Sequence, residues 1–513
     1  MLASSGDVKE GGGLEGEGKK SPIKFDRSIR NADIYIEELV PPNEPLLNIF
    51  TFGWMEDGRL GYPADIESFM QDVPRPIATL RHKEKKKTLI TPHAEERYVC
   101  KKVSAGYRHT LFLMTNCYPE IEQDEDGDSM SMRSPSKSNF GQEKRKKCRL
   151  MMTGLNQRGL CEEPGFTEPV NLGWDDKNED IVDIYAGNGT SFIVTRIGNL
   201  YAFGNNRYGI LGTGDEVSIQ IPKQCLSLNK VRVARICCGS YHAIATSDDG
   251  ILYSWGRNQV GQLGLGFESE MELQPAQVVG LDWSKENPTA INCGHEFTLM
   301  LLTKLTNKGE VKRLVYGWGD HSRGQLGSGD EETRCKPQEN RWMTKLCIKY
   351  GFYPTAITCG SHHVLVLSST GQVISWGAGE YGQLGHGSMW DMAEPRVIND
   401  LKGVSQIAAG ARHSVALVPK VGVMSWGYNG YGELGLGDVN IRTQPTTLSA
   451  FTRAVIKQIT CGDRHTVVVT SHRAIMANED PALRPYFTVV EENVNEIVKK
   501  QLKVTMEKAG FDR

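Results

Sequence analysis

The sequence predicts an all-β fold: a seven-bladed β-propeller closed by pairing of N- and C-terminal half-blades, with a C-terminal amphipathic helix. Three observations predict it. A two-strand phrase with fixed glycines occurs seven times along the chain. The chain enters the repeats on a second-strand phrase and leaves them on a first strand. After Ser471 the apolar spacing changes from strand-like to helical.

The phrase is clearest from Ile236 to Gly266. One strand, Ala234 to Thr246, carries the step Gly239-x-x-His242, and Asp249-Gly250 forms a turn. A second strand, Ile251 to Trp255, ends in Trp-Gly, and the tight turn Gly261-Gln-Leu-Gly264 precedes Pro275. Asp-Gly between apolar, β-branched runs predicts a hairpin, because that turn requires positive φ. The second-strand glycine recurs at Gly53, Gly154, Gly204, Gly256, Gly319, Gly377 and Gly427. The first-strand glycine recurs at Gly106, Gly187, Gly239, Gly294, Gly360, Gly410 and Gly462. A proline follows each time, at Pro76, Pro169, Pro222, Pro275, Pro337, Pro395 and Pro445. A period of about 50 residues suits one four-stranded blade per repeat.

In chain order, residues 1–45 are expected to be a disordered tail, since Gly, Glu and Lys dominate and little can be buried. The propeller is expected over 46–473. Its entry phrase, Ile49 to Gly61, lacks a first strand, and its exit strand, Gln458 to Thr470, lacks a second. Pairing the two completes a blade and hides both edges. An insertion at 116–149 runs acidic (Glu120 to Asp128), then Ser-rich, then basic (Lys144 to Lys147), and is expected to be a disordered surface loop. Its aspartates do not make an EF-hand, because Ser129 and Pro135 occupy the glycine and bidentate-glutamate positions. A helical tail is expected over 474–513. Thr488-x-x-Glu491 is a capping box, and Val490, Val494, Ile497, Val498, Leu502 and Met506 form a stripe. That stripe suits packing, self-association or a partner helix alike.

Composition narrows the function classes. The 513 residues carry a formal charge of −3, so no global basic field calls for nucleic acid or chromatin. No apolar run is long enough for a bilayer, and the start lacks a secretory apolar core, so an intracellular protein, cytoplasmic or nuclear, is expected. Cys238, Cys293, Cys359 and Cys461 precede first-strand glycines where other repeats place Ala105, Ala186 and Ala409. Alternation of Ala with Cys marks a small apolar slot, not a ligand set. Gly377-Ala-Gly-Glu-Tyr-Gly382 fits a dinucleotide pattern but is the repeat turn, with no helix after it. No metal or cofactor is expected. His109, His242, His363, His413 and His465 recur at one repeat position, replaced by Thr190 and Phe297. Catalysis needs an asymmetric constellation, so these histidines are expected to tie blade to blade and no catalytic residue is expected.

CGSYHAIATSDDGILYSWGRNQVGQLGLG, CGSHHVLVLSSTGQVISWGAGEYGQLGHG and AGARHSVALVPKVGVMSWGYNGYGELGLG resemble repeats of the regulator of chromosome condensation family, over roughly Asn48 to Ser471. The resemblance implies a propeller and two functions. One is a non-catalytic scaffold or regulatory subunit that binds protein partners through one face. The other is guanine-nucleotide exchange on a Ran-like small GTPase. An exchange factor of that kind carries a wedge insertion, and here Phe203 to Gly212 is a plain repeat turn. The family's UV-sensing members carry Gly-Trp-Arg-His-Thr. The steps here, such as GYRHT and GSYHA, lack that tryptophan, so light sensing is not expected. The expected partner face consists of the turns after each second-strand glycine. These carry Trp54 and Asp57; Asn206, Arg207 and Tyr208; Arg257; Asp320, His321 and Arg323; Glu380 and Tyr381; and Tyr428 and Tyr431. Tyr, Trp and Arg dominate interface energies, although turns are polar in any case.

Overall fold

The computed structural model describes residues 48–55, 59–60, 70–77, 98–116, 148–154, 168–173, 180–306, 309–330, 332–452 and 454–470. The expected N-terminal tail, the body of the insertion and the C-terminal helix lie outside them. The described strands form seven four-stranded antiparallel sheets. This is the seven-bladed β-propeller expected from the repeats.

Blade 3 shows the pattern. Val233–Cys238, His242–Ser247, Leu252–Asn258 and Ser269–Gln277 pair in sequence order. Blade 1 (98–169), blade 2 (181–224), blade 4 (286–339), blade 5 (354–397) and blade 6 (406–447) repeat it. In the sheet here called blade 7, Ile456–Cys461 and His465–Thr470 are followed by Asn48–Trp54 and Met70–Pro76, with Phe50 opposite Val468.

The expected long strand from Ala234 to Thr246 is two strands. Cys238 pairs with Ala243 across the Gly-x-x-His step, which is therefore a turn and not the middle of a strand. The glycine is needed there because a Cβ at Gly239 would meet both the Gly294 carbonyl and the His242 ring. The repeat proline lies in the outermost strand, where a missing N–H costs nothing. Register corrects one assignment. From blade 2 to blade 6 the proline stands three residues after the partner of the third-strand glycine, as Pro275 does after Glu272, opposite Gly256. Gly53 pairs with Gln71, so the repeat proline of blade 7 is Pro74 and not Pro76.

The core lies between blades. Trp255, Trp318, Trp376 and Trp426 are fully buried. Each donates its indole N–H to the glycine turn of the preceding blade: to the carbonyls of Ile210, Gln262, Gln325 and Gln383 at 2.7, 2.9, 2.9 and 2.8 Å. This explains the last glycine of the turn. At Gly264 (φ +71°) a Cβ would stand 2.8 Å from the Trp318 Nε1. A helix absent from the sequence expectations, Arg341–Tyr350, follows blade 4; the Asn340 side chain caps it by accepting from the Met343 N–H, and Gly351 ends it at φ 68°.

Candidate functional site

The four-strand blade places two tiers of turns on one face: the Gly-x-x-His turns between first and second strands, and the longer turns after each third-strand glycine. The second tier carries the residues expected from sequence. The first tier adds Arg108, Tyr241, His362, Arg412 and Arg464, each just before a repeat histidine, and Glu296, just before the Phe297 that replaces it.

These tiers meet across blade boundaries. In blades 5, 6 and 7, Tyr381 packs edge-on against Tyr428 at 5.0 Å, Tyr428 against Tyr431 at 5.9 Å, and Tyr431 stacks on Trp54 at 5.0 Å. Guanidinium groups lie over these rings. Arg412 is 4.9 Å from the Tyr381 centroid, and Arg464 is 4.4 Å from Trp54 and 4.9 Å from Tyr431. Buried Arg59 covers Trp54 at 4.5 Å and donates to the Tyr107 carbonyl at 2.9 Å. A second cluster joins blades 2 and 3, where Tyr208 packs on Tyr241 at 5.3 Å beneath Arg207 and Arg257. In a third, Arg323 donates to Asp391 at 2.6 Å and to Glu380 at 3.2 Å. Asp320 serves its own turn, accepting from the Ser322 N–H and the Gln325 amide. Nearby, Trp390 is 77% exposed. It lies beyond the glycine turn and so outside the residues expected from sequence.

Two expected binding residues are corrected. Asn206 and His321 are fully buried. Asn206 accepts from the Leu211 N–H at 2.8 Å and donates to the Asp215 carbonyl at 2.8 Å; His321 accepts from the Leu326 N–H at 2.9 Å. Both are internal pegs that hold the turn, as Asn258 and Asn429 are in their blades. The signal was present, since the second residue after the glycine reads Asn, Asn, His and Asn in blades 2, 3, 4 and 6. Asp57 lies outside the described residues.

The repeat histidines are fully buried beneath this face. Their Nε2 atoms meet a hydroxyl of the next blade: His109 with Ser191 at 2.9 Å, His242 with Thr298 at 3.1 Å, His363 with Ser414 at 2.9 Å, His413 with Thr466 at 3.0 Å and His465 with Thr110 at 2.9 Å. Thr298, Ser414, Thr466 and Thr110 give their single proton to a turn carbonyl, at Gln262, Gln383, Glu433 and Arg59. The imidazole must then donate from Nε2, which assigns the tautomer and leaves Nδ1 as a bare acceptor. Burial holds His109 down to about 4, with the Arg59 charge adding to it, and His363 and His413 to about 3. Cys237 and Cys293 lie 3.2 Å apart, sulfur to sulfur, and all the described cysteines are free. Among the described residues no group of three or more His, Cys, Asp or Glu is placed to hold a metal, and no helix is long and apolar enough to cross a membrane.

Repeated four-stranded blades with a buried histidine ring define a propeller class, and comparison places the chain within it. The regulator of chromosome condensation (RCC1) repeat matches residues 198–246, 249–301, 314–367, 370–417 and 422–469, and a second form of the repeat matches 181–210, 233–262 and 355–383. The chain belongs to this repeat family. Among curated proteins it is 35% identical to "Probable E3 ubiquitin-protein ligase HERC3" of Homo sapiens, over 38% of this chain and 17% of that one. It is 30% identical to the "Ultraviolet-B receptor UVR8" of Arabidopsis thaliana, over 54% and 60%. The matched stretch thus spans only part of either relative. Among solved structures, yeast RCC1 (Prp20) bound to Kap60 shares the fold, with a TM-score of 0.65 at 20% identity over 93% of this chain and 99% of that one.

Proposed function

We propose that this chain is a protein-interaction propeller, a scaffold or regulatory subunit whose two-tier turn face captures a partner protein. The observation that carries this reading is the cross-blade stacking of Tyr381, Tyr428, Tyr431 and Trp54 under Arg412 and Arg464. Rings and guanidinium groups fixed before binding lose little conformational freedom in a complex, and these residue types supply most hot spots. The reading needs a rigid ring, and we propose that pairing of Asn48–Trp54 with His465–Thr470 closes it in solution. Gln458 supports this by donating to the Val103 carbonyl of blade 1 at 2.8 Å.

Exchange on a Ran-like GTPase is the second reading inherited from the family. Phe203 to Gly212 is a tight turn pegged by Asn206, so no observation favours that reading over capture. The test is proximity labelling with the intact protein against the triple variant Arg207→Ala, Tyr381→Ala, Tyr428→Ala. The variant is expected to lose the partner while keeping its melting temperature. Undiminished recovery would move the site elsewhere. Slowed nucleotide release from a recovered GTPase would restore the exchange reading.

A further inference from the structure

We propose that Cys237 and Cys293 are a redox-sensitive thiol pair, which a peroxide converts to a reversible disulfide clipping blade 3 to blade 4. The site lies between the blades and does not depend on the reading of the turn face as a partner surface.

The first strands of the two blades, Val233–Cys238 and Glu286–Cys293, are neighbours. At three other boundaries the residue two places before the first-strand glycine reaches the residue just before the next blade's glycine. Ser104 accepts from the Ala186 N–H at 2.9 Å, Tyr185 donates to the Cys238 carbonyl at 3.4 Å, and Asn292 accepts from the Cys359 N–H at 3.0 Å. In blade 3 that position is Cys237, and it reaches the Cys293 sulfur, 3.2 Å away. Bond formation would bring the sulfurs to about 2.05 Å, a small movement. Arg235 already ties the same blades by donating to the Thr289 carbonyl at 2.8 Å, so the strands are held in register before any bond forms.

The two cysteines are not alike. Cys293 sits in the small slot that other repeats fill with alanine or cysteine. Cys237 stands where the other six repeats place Ser104, Tyr185, Asn292, Thr358, Ala408 and Thr460. Slot filling accounts for Cys293 and leaves unexplained the second thiol aimed at it.

Both side chains are buried, at 4% and 6% exposure, so the oxidant has to be small and uncharged, as hydrogen peroxide is. Burial pushes the Cys237 thiol well up. At Cys293 burial acts the same way, but the hydrogen bond with Cys237 and the nearby His242 outweigh it and hold this thiol below the ordinary range. Cys293 is therefore the first nucleophile. Its thiolate attacks one peroxide oxygen: an S–O bond forms, the O–O bond breaks and hydroxide leaves. Cys237 then attacks the resulting sulfenic acid: the S–S bond forms, the S–O bond breaks and a second hydroxide leaves. The two thiol protons turn both hydroxides into water, so two thiols are oxidised and one peroxide is reduced to two waters.

The experiment treats the native full chain with hydrogen peroxide, blocks remaining thiols, and maps tryptic peptides without reduction. Peptide 236–257 is expected joined to peptide 286–304, with the loss of two hydrogens and release by dithiothreitol. The linked chain should melt several degrees higher than the reduced one, because the bridge restricts the unfolded chain. Cys237→Ser and Cys293→Ala copy residues that other repeats carry at these positions, so both variants should fold. Neither should link, and neither should change its melting temperature on oxidation. Cys238→Ala should keep the link, which assigns it to Cys237 within the shared peptide. Absence of the link in the native chain at a peroxide concentration that oxidises the half-buried Cys335 would overturn the proposal. So would a link that survives Cys237→Ser, or a linked chain that melts no higher than the reduced one.

Discussion

Neighbouring residues in one turn do opposite work. Asn206 uses both ends of its amide inside the turn, whereas Arg207 is exposed and touches only ring faces and the Tyr208 hydroxyl. Asn206→Ala should cost about 2–3 kcal/mol by leaving buried backbone groups unpaired, while Arg207→Ala should stay within about 0.5 kcal/mol; chemical denaturation of the two variants checks this. Tyr208 sits at φ 61°, ψ 21°, a left-handed conformation that costs a non-glycine residue about 1–2 kcal/mol. Among the described residues no other non-glycine has positive φ. Such strain persists where the surroundings fix it, here an N–H donated to Glu216 and the packing on Tyr241. Tyr208→Gly should therefore hold or raise the melting temperature while weakening partner capture. A clear drop in melting temperature would show the ring to be structural. None of this strain was legible in sequence, because Tyr208, Val260, Arg323, Tyr381 and Tyr431 share one repeat position with different side chains.

At the scale of elements, the glycine frame was legible because its steric cause recurs: Gly212, Gly264, Gly327 and Gly385 lie under an indole of the next blade, and Gly435 under the Phe52 ring. Strand boundaries were not. The stretch from Ala234 to Thr246 is apolar on both sides of Gly239, so alternation gives no sign that the chain reverses there. That omission hid half of the candidate site, since Arg412 and Arg464 occupy the reversal and not a strand. The helix Arg341–Tyr350, with Asn340 and Gly351 at its ends, directly follows the repeat proline strand Arg334–Glu339 and has no counterpart in the other repeats to make it legible. For the insertion, composition remains the guide: Glu120 to Lys147 is polar and Ser-rich. Replacing it by a short Gly-Ser linker should leave the melting temperature nearly unchanged, since loop length costs little. A loss of several degrees by calorimetry would mean that it packs on the blades.

For the whole molecule, two properties follow from the way the blades are tied. Asn48–Trp54 shares a sheet with His465–Thr470, so ending the chain at Ala454 strips two strands from blade 7 and bares an edge. Such a chain should be insoluble or melt without cooperativity, and a monodisperse product with an unchanged melt would remove the case for closure. The second property is acid lability. His109, His363, His413 and His465 are buried neutral, each with a folded pKa below the ordinary 6.5. A histidine of this kind binds fewer protons folded than unfolded. Its contribution is therefore complete above about 6.5 and is lost as the pH falls toward the folded value, at about 1.4 kcal/mol per pH unit for each proton taken up. Glu433 and Asp463 have the opposite sign: burial raises both, so they favour the folded state at low pH, and Glu433 ceases to do so as the pH rises through about 7. Four histidines outweigh two carboxyls. Stability should peak near neutrality and fall steeply between pH 6.5 and 4, the range set by the ordinary histidine value and by His109. Calorimetric melts across that range measure the slope. His363→Gln should lower the whole curve yet flatten its acid limb, because one proton fewer is taken up on unfolding. An acid limb equally steep in the variant would mean that the histidine ring does not set the acid stability of the propeller.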